Sequence, residues 1–160
     1  MEKGQILGQL LELIKDVPFF KTFTMAERCY LASTECEVVR YLANENIINE
    51  GDRDSALYIL LRGEVGVTKN MISPDSLKKP KRILVAKLSM GAVFGEISLI
   101  SKSARTSGVH AIGEAIVLKM DGIMFEKMEP QFKSKVQAQL INLLIKRLDD
   151  MNNQIIDLVR

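Results

Sequence analysis

The chain has 160 residues, 47% hydrophobic and 26% charged, which is one domain's length with enough apolar residues for a core. Lys plus Arg number 22 against 20 for Asp plus Glu, a net charge of +2, so the chain lacks the broadly basic face of a dedicated nucleic-acid binder. Two cysteines, Cys29 and Cys36, and one histidine, His110, exclude a disulfide framework, a four-thiolate metal site and a three-histidine zinc centre.

The N-terminal stretch has neither the apolar run nor the small-residue cleavage site of a secretory signal, and no stretch approaches the ~20 apolar residues of a membrane span. The expectation is a cytoplasmic domain with reduced thiols, the two cysteines serving as buried small hydrophobes. Ile6, Leu7, Leu10, Leu11, Leu13 and Ile14 form an apolar stripe at helical spacing, which Pro18 stops. Phe19 and Phe20 are expected in the core. Thr24 and Glu27 fit a capping box, in which a hydroxyl and a carboxylate satisfy free amides at the start of a helix from Thr24 to Thr34.

From Cys36 to Leu118 the segments become short, often β-branched and punctuated by glycine. The predicted strands are Glu37–Tyr41, Asn46–Ile48, Ala56–Leu61, Glu64–Lys69, Arg82–Leu88, Ser107–Ala111 and Ala115–Lys119. Many short strands with regular turn signals indicate a sandwich, jelly roll or barrel. The polar stretch from Asn70 to Lys81, with Pro74 and Pro80, reads as a long mobile loop between two strands.

After Lys119 the helical signal returns. Asp121 is placed to cap a short helix through Met128, and about thirty residues without Gly or Pro follow Pro130. Leu144, Leu148, Met151, Ile155 and Leu158 are spaced like a coiled-coil seam. At 1.5 Å per residue this helix runs roughly 45 Å, longer than a globule of this size needs. The seam therefore pairs with a second copy, packs on its own chain, or meets another partner.

The segment from Phe94 to Ser107 carries the chemistry. Gly95 lets a backbone approach a ligand closely, and a short helix beginning there leaves its first amides unpaired, a setting suited to phosphate. Arg105 lies ten residues on, within reach of the same point, and a guanidinium forks onto two phosphate oxygens. Glu96 beside that anion pocket makes sense as an acceptor for a sugar hydroxyl. The residues thus suggest a site for one phosphate joined to a ribose. The plain alternative is a surface ion pair between Glu96 and Arg105.

In order and spacing, Phe94, Gly95, Glu96, Ile97, Ser98, Leu99, Ile100, Arg105 and Thr106 resemble the phosphate-binding cassette of the cyclic nucleotide-binding domain family. The turns at Gly51, Gly63 and Gly91 resemble that family's glycine turns, and the tail around Lys146–Leu148 is similar to the dimer helix of its catabolite activator branch. The resemblance covers nearly the whole chain. It implies an α+β fold: a jelly-roll-like antiparallel β-barrel with N-terminal helices, a short cassette helix and a long C-terminal helix. As one domain over 1–160, this places N-terminal helices at 1–35, the barrel at 36–119 with the cassette at 94–107, and C-terminal helices at 120–160, the dimer or lid helix being 131–160.

The resemblance also implies roles. Glu96 would accept from the ribose 2′-hydroxyl and Arg105 would pair with the exocyclic phosphate oxygens. Gly95 would admit the close approach, Ile97 and Ser98 would offer amides, and Thr106 and Ser107 would adjoin phosphate and base. Asn152 would meet a purine edge from the C-terminal helix. The implied ligand is cAMP, favoured over cGMP, with no resident cofactor or metal. Implied partners are a second copy through the last helix and an effector protein, with no direct nucleic-acid contact. Gly108, where the family has a small β-former, is expected to loosen its strand, and Ala104 replaces a frequent proline.

Other readings stand beside this one. The chain could be a nucleotide-free dimerisation module of the same fold, or the sensor half of a transcription regulator. Iron–sulfur sensing needs four cysteines; haem sensing would rest on His110, Cys29 and Cys36 as axial ligands, the plain role of His110 being to end a strand. Asp52 and Asp54 read as a solvated turn, and Lys78–Arg82 as a solvated basic loop with some likeness to a nuclear-targeting or anionic-surface patch. No Ser/His/Asp set, GxGxxG or P-loop occurs, which argues against an enzyme.

Overall fold

The computed structural model describes residues 3–34, 36–72, 74–75, 77 and 79–160. They divide into two compact units, Met1–Phe125 and Glu126–Arg160.

In the first unit, α1 (Lys3–Ile14) buries Leu10 and Ile14 but leaves Ile6 about half exposed. A single 3-10 turn at Pro18–Phe20 follows, with the proline at its first position, where a missing N–H costs nothing. Phe19, Phe20 and Phe23 pack ring to ring, with centroids 5.2 to 6.0 Å apart. α2 (Met25–Thr34) starts on the expected capping box: Thr24 N donates to Glu27 Oε1 at 2.9 Å and Glu27 N to Thr24 Oγ1 at 3.2 Å. Arg28 of α2 donates twice to the Phe20 carbonyl, joining the helix to the aromatic cluster.

Eight strands follow: β1 (Cys36–Tyr41), β2 (Asn46–Ile48), β3 (Leu57–Arg62), β4 (Val65–Met71), β5 (Lys81–Leu88), β6 (Val93–Phe94), β7 (Gly108–Ala111) and β8 (Ala115–Met120). They form two antiparallel four-stranded sheets, ordered β1-β8-β3-β6 and β2-β7-β4-β5. Apart from the β4–β5 hairpin, successive strands thus cross between the sheets in the jelly-roll manner. Tyr58, Leu60, Val65, Val109, Ala111 and Val117 line the apolar core between them. Alternate residues of β3, Tyr58 and Leu60, point into this core, while its intervening residues are buried as well.

Several local expectations change. β6, only two residues long, gave no sequence signal; it pairs Tyr58 with Phe94 and Ile59 with Val93. The hairpin between β4 and β5 zips as far as Met71 opposite Lys81, so both ends of the anticipated 70–81 loop are strand. Gly108 does not loosen β7. It pairs with Thr68, and a Cβ there would stand 2.9 Å from Thr68 Oγ1, which accepts from Arg82 Nε at 3.0 Å. Glycine makes room for that polar bridge. His110 lies within β7, opposite Gly66, rather than ending it, and its buried Nδ1 has no hydrogen-bond partner among the described residues. Cys29 and Cys36 are half-buried rather than core thiols. The short helix α4 is Gly122–Glu126, two residues shorter at its end than expected, with Asp121 Oδ1 accepting from Ile123 N at 2.8 Å.

The second unit is dominated by α5 (Pro130–Val159), 30 residues and about 45 Å long. Lys133 Nζ meets Glu126 Oε2 at 2.6 Å near its start. Val136 and Leu140 are buried, whereas Leu148, Met151, Ile155 and Leu158 are 56 to 84% exposed. From Leu148 onward the seam residues are exposed. Among the described residues no helix is long and apolar enough to cross a membrane.

The core predicts its own sensitivity. Leu60 is fully buried on β3, so Leu60→Ala should lower unfolding stability by about 2–5 kcal/mol in urea titration, the cost of lost transfer energy plus a cavity.

Candidate functional site

The site grows from the end of β6. Tyr58 and Phe94 are stacked, their rings 5.2 Å apart and 6° from parallel. The chain then turns at Gly95 with φ +83°, a left-handed conformation that disfavours any side chain. A Cβ there would also meet the Ala56 carbonyl at 2.7 Å and Arg105 Nη1 at 2.9 Å. Two independent constraints therefore require glycine at this point.

α3 (Glu96–Ser101) begins immediately after. Leu99 is buried and anchors it, while Glu96 and Ser98 are only 4% and 2% exposed. Ile97 faces solvent. Being in the first turn, the amides of Ile97 and Ser98 fall outside the helix's own hydrogen-bond ladder. The helix closes at Lys102, also left-handed, whose N–H donates to the Ser98 carbonyl at 3.0 Å.

Arg105 returns the chain to Gly95. Its backbone is clamped to the turn before β3: Arg105 N donates to the Asp52 carbonyl at 2.7 Å, and Gly51 N donates to the Arg105 carbonyl at 2.8 Å. Its side chain is buried. Nε and Nη2 fork onto Asp54 at 3.1 and 2.7 Å, Nη2 also donates to the Ala56 carbonyl at 2.6 Å, and Nη1 donates to the Gly95 carbonyl at 2.8 Å. A guanidinium has five N–H donors; four are used, and among the described residues none takes the fifth, on Nη1.

Asp54 was expected to lie in a solvated turn. Its side chain is indeed 47% exposed, but it is the counter-charge of Arg105. The fork from Arg105 holds its carboxyl below the ordinary carboxylate range, the more so with the Arg105 charge beside it; partial burial opposes. Tyr58 shows the opposite effect: burial first, then nearby acidic groups, pushes its phenol up to about 12.

The structure thus brings Gly95, Glu96, Ile97, Ser98 and Arg105 into one short turn-and-helix. Thr106, exposed, and Ser107, half-buried, follow directly along the chain. Asn152 is exposed on α5 in the second unit. Among the described residues no three His, Cys, Asp or Glu side chains are grouped to hold a metal ion. The constellation presents one buried cation, a buried acid and first-turn amides.

A family model described as the cyclic nucleotide-binding domain matches residues 38–129. The chain belongs to the cyclic nucleotide-binding domain family. A cAMP-dependent protein kinase regulatory subunit of Mycosarcoma maydis is 32% identical over 102 residues, covering 64% of this chain and 18% of that one. A CRP-like cAMP-activated global transcriptional regulator of Mycobacterium tuberculosis is 25% identical over 125 residues, covering 78% of this chain and 53% of that one. The domain therefore spans about half or less of these two relatives. Among solved structures, a cyclic nucleotide-binding domain from Methylobacillus flagellatus superposes with a TM-score of 0.78 at 24% identity, covering 96% of this chain and 84% of that one. The fold is that of the family.

The Asp54–Arg105 pair predicts an acid-limb effect. A carboxyl whose pKa is lowered by folding contributes fully above its ordinary range, and the contribution is lost as pH falls through the lowered value. With half the Asp54 side chain in water the contribution should stay below about 1 kcal/mol. Urea unfolding followed below about pH 4 should therefore show a shallower pH dependence in Asp54→Asn than in wild type.

Proposed function

We propose that this domain is a non-catalytic cytoplasmic sensor that binds a cyclic nucleotide, cAMP in preference to cGMP. The observation that carries the reading is the burial of Arg105 at the mouth of α3, with one Nη1 donor left over among the described residues. A phosphate placed there would meet that donor, the guanidinium's charge and the first-turn amides of Ile97 and Ser98 in a setting partly withdrawn from water, where charge-assisted bonds are strong. Gly95 keeps that approach open. Glu96, acidic and beside the same turn, would accept from the ribose 2′-hydroxyl. Thr106 and Ser107 would adjoin phosphate and base, and Asn152 would meet the purine edge. The relatives' descriptions as cAMP-dependent and cAMP-activated support cAMP as the first ligand to test.

Signalling follows by population shift. Nucleotide orders the cassette, the C-terminal helix closes over the base, and the ligand moves that equilibrium only by its preference for the closed state. The exposed seam of α5 supports pairing with a second copy, through which the change reaches an effector protein. No resident cofactor or metal enters this scheme, and nothing in it contacts nucleic acid directly.

One observation favours a second reading. Four of the five Arg105 donors are already satisfied within the protein, as they would be if the arginine were purely structural and the domain a nucleotide-free dimerisation module.

Paired isothermal titrations separate the two. Heat is expected with both nucleotides and tighter binding of cAMP. Arg105→Ala should cost roughly 2–4 kcal/mol of binding, and Glu96→Ala should also weaken it, with circular dichroism confirming the fold of each. No heat with either nucleotide in the wild type establishes the inert module instead. For the dimer, light scattering should give twice the monomer mass for wild type and a monomer for Leu148→Lys.

A further inference from the structure

The β4–β5 hairpin carries a feature that nucleotide binding does not use. Its far end displays Met71, Ile72 and Leu77, which are 56%, 87% and 92% exposed. Lys69, Lys79 and Lys81 are exposed beside them. Residues 69–82 hold five cationic residues and one acid, Asp75. The stretch is therefore +4 in a chain of net charge +2, and the remaining residues sum to −2.

Lysines on an edge strand have an ordinary explanation, since they discourage pairing with other chains. β5 is such an edge, at the end of the order β2-β7-β4-β5. That accounts for Lys81 and Lys87 but not for three large apolar side chains held in water at the tip. Clustered exposed hydrophobes rimmed by charge mark an interaction surface. The spacing along the hairpin is informative. Met71 pairs with Lys81, and Lys69 sits two residues behind, about 7 Å at the rise of a strand. An apolar tip with cations at its own level and one short step behind fits a lipid interface, where side chains sink about 5–10 Å and lysines stay with the headgroups. A polyanion such as a nucleic acid would use the lysines and leave the tip in water.

We propose that this hairpin docks reversibly on an anionic membrane surface, with Ile72 and Leu77 entering the interface and Lys69, Lys79 and Lys81 meeting acidic headgroups. The contact lies on the surface and requires no spanning segment. It is independent of nucleotide binding. With one small apolar tip the attachment is weak and salt-sensitive, and it places the sensor at a membrane without committing it there.

Sedimentation of the whole chain with lipid vesicles tests this. The chain should pellet with phosphatidylcholine–phosphatidylserine vesicles, much less with phosphatidylcholine alone, and less as salt rises. Lys79→Glu and Lys81→Glu should each reduce partitioning by about fivefold or more. Ile72→Ser/Leu77→Ser should abolish most of the binding while circular dichroism and nucleotide titration stay as in wild type. The proposal fails if the chain does not pellet with the anionic vesicles, or if the double serine variant pellets as well as wild type. Binding to a short DNA duplex that exceeds vesicle binding and ignores the serine substitutions would assign the patch to nucleic acid instead.

Discussion

The buried guanidinium of Arg105 ties the cassette to the rest of the barrel. A cation withdrawn from water must be compensated, and the compensation comes from three separate places: the Asp54 carboxylate, the Ala56 carbonyl and the Gly95 carbonyl. Those places are the turn entering β3 and the turn entering α3. The backbone of Arg105 adds its own clamp through Gly51 and Asp52. The geometry of both turns therefore depends on one side chain. Gly95 is then doubly required, because the arginine itself occupies the space a side chain would need.

This arrangement gives the site its chemical character. An arginine free in solvent is an indifferent anion ligand, screened and mobile. Held by four hydrogen bonds, it loses little further entropy on meeting a partner, and its direction is set in advance. Preorganisation of this kind serves either reading of the domain. It can present a prepared donor to a phosphate, or it can simply brace two turns. Asp54 sits at the balance point, since it both compensates the charge and competes for it.

Much of this was legible from residue order. The capping box of Thr24 and Glu27, seven of the eight strands and the thirty-residue helix follow from local pattern, and the cassette from its resemblance to the family's motif between Phe94 and Thr106. What escaped is non-local. Asp54 lies 51 residues before Arg105, and in sequence its turn, Gly-Asp-Arg-Asp, looks like any solvated one. No local signal marks it: the burial of Arg105, which calls for an acid, and the nearness of the Asp54 turn exist only in the folded chain. β6 escaped because two residues carry no periodicity. Gly108 was misjudged because its reason is a neighbour, Thr68, on another strand.

The stacked Tyr58–Phe94 pair has a practical side. The chain contains no tryptophan and only three tyrosines, so its ultraviolet emission comes from very few rings. One of them, Tyr58, is buried, stacked at 6° on the residue before Gly95, and lies 3.3 Å from where a Cβ on that glycine would stand. The fold has in effect placed an intrinsic optical reporter against the turn that opens its own cassette, where any rearrangement of that turn would change the light it gives without any label.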